Sequence, residues 1–137
     1  MVEKKKDANK AKVAREISKI WGGLESDQIA TLKEHVEITK YKKGEMIYQC
    51  DETPTDAMCL LTGKVKIFKD GINGKSQIIR VIKPNEFFGF RAYFANEIYK
   101  TAAQALDTCT VVHFPLPVLM KLLQKSYKIG YYFIKYL

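Results

Sequence analysis

Residues 64–82, KVKIFKDGINGKSQIIRVI, carry the fold. Val65, Ile67 and then Gln77 to Ile82 form two short runs rich in β-branched residues, the first alternating with lysine as a half-buried strand does. Between them lie an Asp70-Gly71 and an Asn73-Gly74 pair, the dipeptides that supply positive φ in hairpin turns. An antiparallel hairpin is the expectation. The same texture extends in both directions, from Val36 to Phe114, as β-rich runs cut by turn residues. Lys42 to Glu45 marks one turn, Asp51 to Pro54 a break, Gly63 a corner and Pro84-Asn85 an end. Thr101–Leu106 and Thr108–Phe114 are expected to form another pair about Asp107, and short strands at this spacing indicate an all-β sandwich or barrel.

Helical periodicity brackets the β region. Val13, Ala14, Ile17, Ile20 and Trp21 share a face that Gly22-Gly23 closes. Ser26 is the expected N-cap of a second helix carrying Ile29, Leu32 and Val36. After Pro117, Val118, Leu119, Leu122 and Leu123 predict a short helix. Lys128 to Leu137 then predicts the start of another, with Ile129, Tyr132, Phe133 and Tyr136 on one stripe and no cap at its end.

The chain has 137 residues, 47% of them hydrophobic, which is one ordinary domain with apolar surface enough for its own core. Its net charge of +8 is concentrated at the ends. Residues 1–12 hold five lysines against Glu3 and Asp7, while 118–137 hold Lys121, Lys125, Lys128 and Lys135 with no acid. A solvated basic tail and an exposed helix face account for that without a phosphate partner, and only three cations are arginines, few for reading bases. The cysteines, Cys50, Cys59 and Cys109, form no C-x-x-C pair and no even framework, so a reducing cytoplasm is expected. No apolar run is long enough for a signal peptide core or a membrane span, so no membrane partner is expected. Metal and nucleophile motifs are missing too, and the two histidines, His35 and His113, stand far apart. Neither an enzyme nor a resident cofactor is expected.

Gly44-Glu45 opening the β region, Gly63 between two strands and FFGFRAYFANEIYKTAAQA at 87–105 occur in an order that resembles one family. This is the cyclic-nucleotide-binding domain of the cyclic-AMP receptor protein and Fnr superfamily of bacterial transcription regulators. The resemblance runs over about Leu24 to Leu137. It implies a mainly β fold, a double-stranded β-helix or jelly roll, flanked by N- and C-terminal helices. The implied organisation is a basic tail and helix at 1–23, the β-roll at 24–125 and the start of a truncated dimerisation helix at 126–137. In the family a cassette of the form F-x-G-E-x-x-x-F, a loop and R-S/T-A binds the cyclic nucleotide. Phe87, Gly89, Phe94, Thr101 and Ala102 match it, and Gly89 and Lys100 keep its spacing.

The resemblance implies an effector pocket at Gly89, Phe90, Arg91, Lys100 and Thr101, with Glu97 as a further candidate. Phe90 stands where a glutamate would take the ribose hydroxyl, and Lys100 where an arginine would grip the phosphate. Each lost charge-assisted bond weakens binding about tenfold to a hundredfold, so cyclic AMP is expected to bind weakly and the small-molecule effector is left open. Five aromatics in 87–94 suit either a filled core or a site for a flatter, less polar ligand. The resemblance also implies a homodimer through Ile129, Tyr132, Phe133 and Tyr136. DNA would be bound only through a further C-terminal winged helix-turn-helix, in a cytoplasmic regulator. A stand-alone small-ligand or nucleotide-binding module without a DNA role is the alternative. An iron–sulfur sensor is excluded, because no cysteine precedes Cys50. Haem would need His35, His113 or a cysteine in a suitable cavity, and a cupin-type metal site would need more histidines than two.

Overall fold

Each predicted run takes up its expected secondary structure in the computed structural model, which describes residues 2–135, with side chains from Asn9 onward. In chain order the elements are α1 (Val2–Ile20), α2 (Ser26–His35), β1 (Glu37–Tyr41), β2 (Met46–Tyr48), β3 (Asp56–Thr62), β4 (Val65–Asp70), β5 (Ser76–Ile82), β6 (Phe87–Phe88), α3 (Arg91–Phe94), β7 (Ala102–Ala105), β8 (Cys109–Pro115), α4 (Leu116–Lys125) and α5 (Tyr127–Lys135). Two antiparallel four-stranded sheets result, ordered β1-β8-β3-β6 and β2-β7-β4-β5. This is a β-roll of the jelly-roll type with flanking helices, as expected. Among the described residues no helix is long and apolar enough to cross a membrane.

The chain divides into two compact units, residues 38–113 and the two ends, 1–37 with 114–137. In the β unit, β4 and β5 pair from Val65↔Ile82 to Asp70↔Ser76, so the hairpin forms as predicted. Its loop is wider than a two-residue turn. The Gly74 N–H donates to Gly71 O at 3.1 Å, which places Ile72 and Asn73, rather than either Gly-containing pair, at the centre. Between Ile67 and Phe68 the partner steps from Arg80 to Ile78, leaving Ile79 as an extra, bulged residue. The core between the sheets includes Met58, Leu60, Val65, Ile82, Phe88 and Val111.

One expected pairing is wrong. Thr101–Leu106 and Thr108–Phe114 do not pair with each other: β7 lies beside β2 and β4 in one sheet, while β8 lies in the other. Asp107 marks the corner at which the chain changes sheets, where a hairpin had been expected. Ala103 and Ala105 of β7 are both buried.

At Gly63, between β3 and β4, φ is +94°, and a Cβ there would meet Thr108 O at 2.6 Å and Cys109 Cα at 2.8 Å. Backbone cannot yield as a flexible side chain can. Glycine is therefore required on both conformational and steric grounds.

In the terminal unit α1 ends in a Schellman motif: Gly23 N–H donates to Ser18 O at 2.7 Å and Gly22 N–H to Lys19 O at 3.2 Å, with Gly22 at φ +93°. The helix begins earlier than the apolar periodicity from Ala11 indicated. The N-cap of α2 is Glu25, one residue before the expected Ser26, and its N–H is satisfied by Gln28 Oε1 at 3.0 Å. Pro117 occupies the first turn of α4, where its missing N–H costs no helical bond. Trp21 contacts Phe114 and Phe133, with ring centroids 5.8 and 5.7 Å away.

Gly63→Ala should lower unfolding free energy by at least about 2 kcal/mol, combining the positive-φ penalty with backbone overlap. Urea denaturation measures it; a change under about 0.5 kcal/mol would contradict the close approach.

Candidate functional site

The β unit encloses a cavity of about 430 Å³, within the range of small-molecule sites. Gly89, Phe90, Arg91, Lys100 and Thr101 all line it, and so does Glu97. Thus the residues singled out in the sequence are brought to one wall. Gly89 follows β6, Phe90 is the N-cap of the short helix α3, Arg91 opens that helix, and Lys100 and Thr101 precede β7.

Gly89 has φ +82°, and a Cβ on it would run into Met58 Cε and lie 3.3 Å from Tyr99 Oη. The Tyr99 hydroxyl donates to Gly89 O at 2.8 Å. Its ring stacks on Tyr48 with centroids 3.9 Å apart and planes 14° from parallel. The backbone of Tyr99 is bonded as well: its N–H donates to Glu52 O at 3.0 Å, and its carbonyl accepts from Asp51 N at 2.8 Å. Tyr48 and Tyr99 both line the cavity and were not anticipated. A tyrosine in a β-rich run reads as core, and both are indeed buried; nothing in their spacing discloses the stack.

Phe90 is 1% exposed, its ring 6.1 Å from that of Phe94. Of the five clustered aromatics, Phe88 and Phe90 serve both core and cavity wall. The cluster is therefore neither solely core nor solely site. Lys100 is exposed and its Nζ lies 3.1 Å from Glu97 Oε2. Arg80 and Ile79 of β5 also line the cavity, neighbours in sequence that a regular strand would send to opposite faces. The bulge at Ile79 explains the exception. Arg80 Nη2 is 2.7 Å from Glu86 Oε2.

Burial pushes the Tyr48 hydroxyl above its usual range, against the opposing effects of a hydrogen bond with Thr101 and the charge of Arg91. Burial, then the neighbouring Tyr48, pushes Tyr99 further in the same direction. Both stay protonated as neutral hydroxyls near neutral pH. Elsewhere in this unit, His113 Nε2 is 2.9 Å from Tyr41 Oη and its Nδ1 is 3.5 Å from Asp56 Oδ2; in the terminal unit His35 Nδ1 bonds with Thr31 O. Neither histidine lines the cavity. Cys59 and Cys109 are buried and Cys50 is exposed; burial raises the Cys109 thiol above its ordinary range, which makes it a poor nucleophile. Among the described residues no group of His, Cys, Asp and Glu has the arrangement of a metal site.

The aromatic stripe on α5 requires a correction. Ile129 and Phe133 are 0% and 2% exposed, buried within this chain, because that face of the helix turns toward Trp21. They cannot form the dimer face expected of them. Tyr132 is half-buried, and Tyr136 lies outside the described residues. The large hydrophobic side chains that α5 exposes are Tyr127, Tyr131 and Ile134, beside the exposed Lys128 and Lys135. Periodicity finds an apolar stripe but does not tell whether the chain or a second copy covers it.

The family model for the cyclic nucleotide-binding domain matches residues 38–126. An uncharacterised protein of Haemophilus influenzae is 33% identical over 75 residues, 54% of this chain and 58% of that one. Among solved structures, the catabolite activator protein of Thermus thermophilus superposes with a TM-score of 0.72 at 15% identity, covering 84% of this chain and 54% of that one. The sensor domain of the transcriptional regulator DNR from Pseudomonas aeruginosa gives 0.69 at 19% identity, covering 78% and 74%. A transcriptional regulator from Thermotoga maritima gives 0.67 at 24% identity, covering 74% and 80%. These likenesses establish the shared fold, and the match spans about half the length of the Thermus protein.

The tyrosine shifts set a pH window. A hydroxyl whose folded pKa is raised retains its proton in the native state while the unfolded chain loses it, so stability is intact below pH 10 and falls above it. Unfolding measured from pH 9 to 12 should show that fall, and Tyr99→Phe should make it shallower. An unchanged slope would contradict the burial of this hydroxyl.

Proposed function

Because the chain belongs to the cyclic nucleotide-binding domain family, we propose that it is the effector-sensing and dimerisation domain of a Crp/Fnr-type transcription regulator with a degenerate nucleotide pocket. The observation that carries this function is the gathering of Gly89, Phe90, Arg91, Lys100 and Thr101 on one cavity within the matched residues. Support for the regulatory class comes from the transcriptional regulators that share its fold. DNA recognition is assigned to a segment outside these residues, and no reaction is assigned to the cavity. The protein works in the cytoplasm on this proposal, where a small effector would reach it.

Degeneracy is argued from two side chains. Phe90 offers a ribose hydroxyl no acceptor, and Lys100 is a point charge already facing Glu97, not a planar fork. With each substitution costing at least about 1.5 kcal/mol, cyclic AMP should bind more than about a hundredfold more weakly than in an intact pocket. Calorimetry with cyclic AMP and cyclic GMP should give no saturable heat below millimolar ligand, and Lys100→Arg should restore part of the affinity without disturbing the buried Phe90. Micromolar binding by the unmodified chain would end the degenerate-pocket proposal.

A second function is favoured by the Haemophilus relative, of which 75 residues already make up 58%, so that it is no longer than this chain. That relation suits a stand-alone small-ligand module. Dimerisation is proposed through Tyr131 and Ile134, 62% and 68% exposed. Sedimentation across a concentration series should show self-association that Ile134→Asp abolishes; a strict monomer at high micromolar concentration would remove this part of the proposal.

A further inference from the structure

The polar side chains of the cavity wall are engaged with the protein itself. Tyr99 Oη donates to Gly89 O, Tyr48 is hydrogen-bonded with Thr101, Arg80 Nη2 is 2.7 Å from Glu86 Oε2 and Lys100 Nζ is 3.1 Å from Glu97 Oε2. Arg91 also interacts within the chain. A charged ligand must leave water to enter, a cost that only an opposite charge offsets. An anion on Lys100 would release Glu97 beside it, exchanging one carboxylate for another with no net gain. An anion on Arg80 would strand Glu86. A cation on Glu97 would release Lys100 in the same way, so charge of either sign adds nothing to affinity.

The apolar side chains behave differently. Ile82, Phe88 and Phe90 are buried in the wall. Ile79, on the bulge of β5, and Ile98, in the segment joining α3 to β7, line the same cavity yet are 54% and 46% exposed. A lone exposed isoleucine is ordinary. Two on the wall of one concave site are apolar surface that a ligand would take out of water, and that gain requires no bond to be broken. Taking the cavity to be the effector site, as above, we propose that its ligand is uncharged and predominantly apolar, a small aromatic molecule that covers Ile79 and Ile98 and rests against Phe88 and Phe90. Such a ligand leaves every polar pair of the wall in place. Phe90 then belongs to the recognition surface as apolar wall, and Lys100 stays with Glu97.

The probe is uncharged 2-naphthalenemethanol, titrated by calorimetry and by amide chemical-shift mapping beside its charged counterparts, 2-naphthoate and 2-naphthylmethylammonium, and beside cyclic AMP. The alcohol should bind about tenfold or more tightly than either ion, with shifts centred on residues 79–101 and a negative heat-capacity change. Ile79→Ala and Ile98→Ala should each weaken it about threefold or more; both side chains are half-exposed, so both variants should fold. Equal or tighter binding of either ion overturns the proposal, as does indifference to both isoleucine substitutions. Should an ion or cyclic AMP bind this cavity and the alcohol fail, the apolar-ligand proposal falls and the effector site stands. Should none of the four bind, both fall.

Discussion

Tyr99 fastens separate stretches of chain to one another through three kinds of contact. Its hydroxyl holds the carbonyl of Gly89, its ring lies on Tyr48 of β2, and its backbone bonds in both directions with the segment at Asp51 and Glu52. The arrangement favours glycine at 89, because its φ of +82° is one that other residues rarely adopt and a Cβ there would also push the end of Met58 aside. Gly89, in turn, is where the chain leaves β6 for α3. The cavity wall therefore has its shape because a buried tyrosine must satisfy its hydroxyl, and the nearest acceptor is a carbonyl in left-handed backbone. The shape of the cavity is built on a packing requirement.

The same dependence separates what holds the cavity from the side chains that line it. Phe90 is buried and contributes to the core whether or not it contacts a ligand. Lys100 is exposed and contributes little to stability. Between them they give the cavity an apolar wall and an exposed charge. Neither side chain takes part in the Tyr99–Gly89 bond, which fixes the turn out of β6.

What could be read from the residues alone follows the range of the interactions involved. The β4–β5 hairpin, the end of α1 at Gly22-Gly23 and the start of α4 at Pro117 are local, set by turn, cap and ring chemistry within a few positions. The placing of β7 and β8 in different sheets is not local, since Asp107 suits a corner as well as a hairpin. Nor is the partner of the α5 stripe: Ile129 and Phe133 face their own chain because of Trp21, more than a hundred residues earlier. Lys100 was legible as a candidate for the cavity lining through its place in the family cassette, whereas the contribution of Ile79 depends on a bulge that alternation argues against.

That bulge has a consequence outside the cavity. β5 is the last strand of its sheet, and Ile78, Ile79 and Val81 leave substantial apolar surface in water along it. A straight, regular border of this composition is a template on which another chain could add a strand and begin a fibril. An extra residue spoils the repeat of donors and acceptors midway along the border, and Arg80 adds a charge beside it. The irregularity that brings Ile79 and Arg80 into the wall thus also guards the protein against runaway self-assembly, so straightening this strand to regularise the sheet would trade solubility for symmetry.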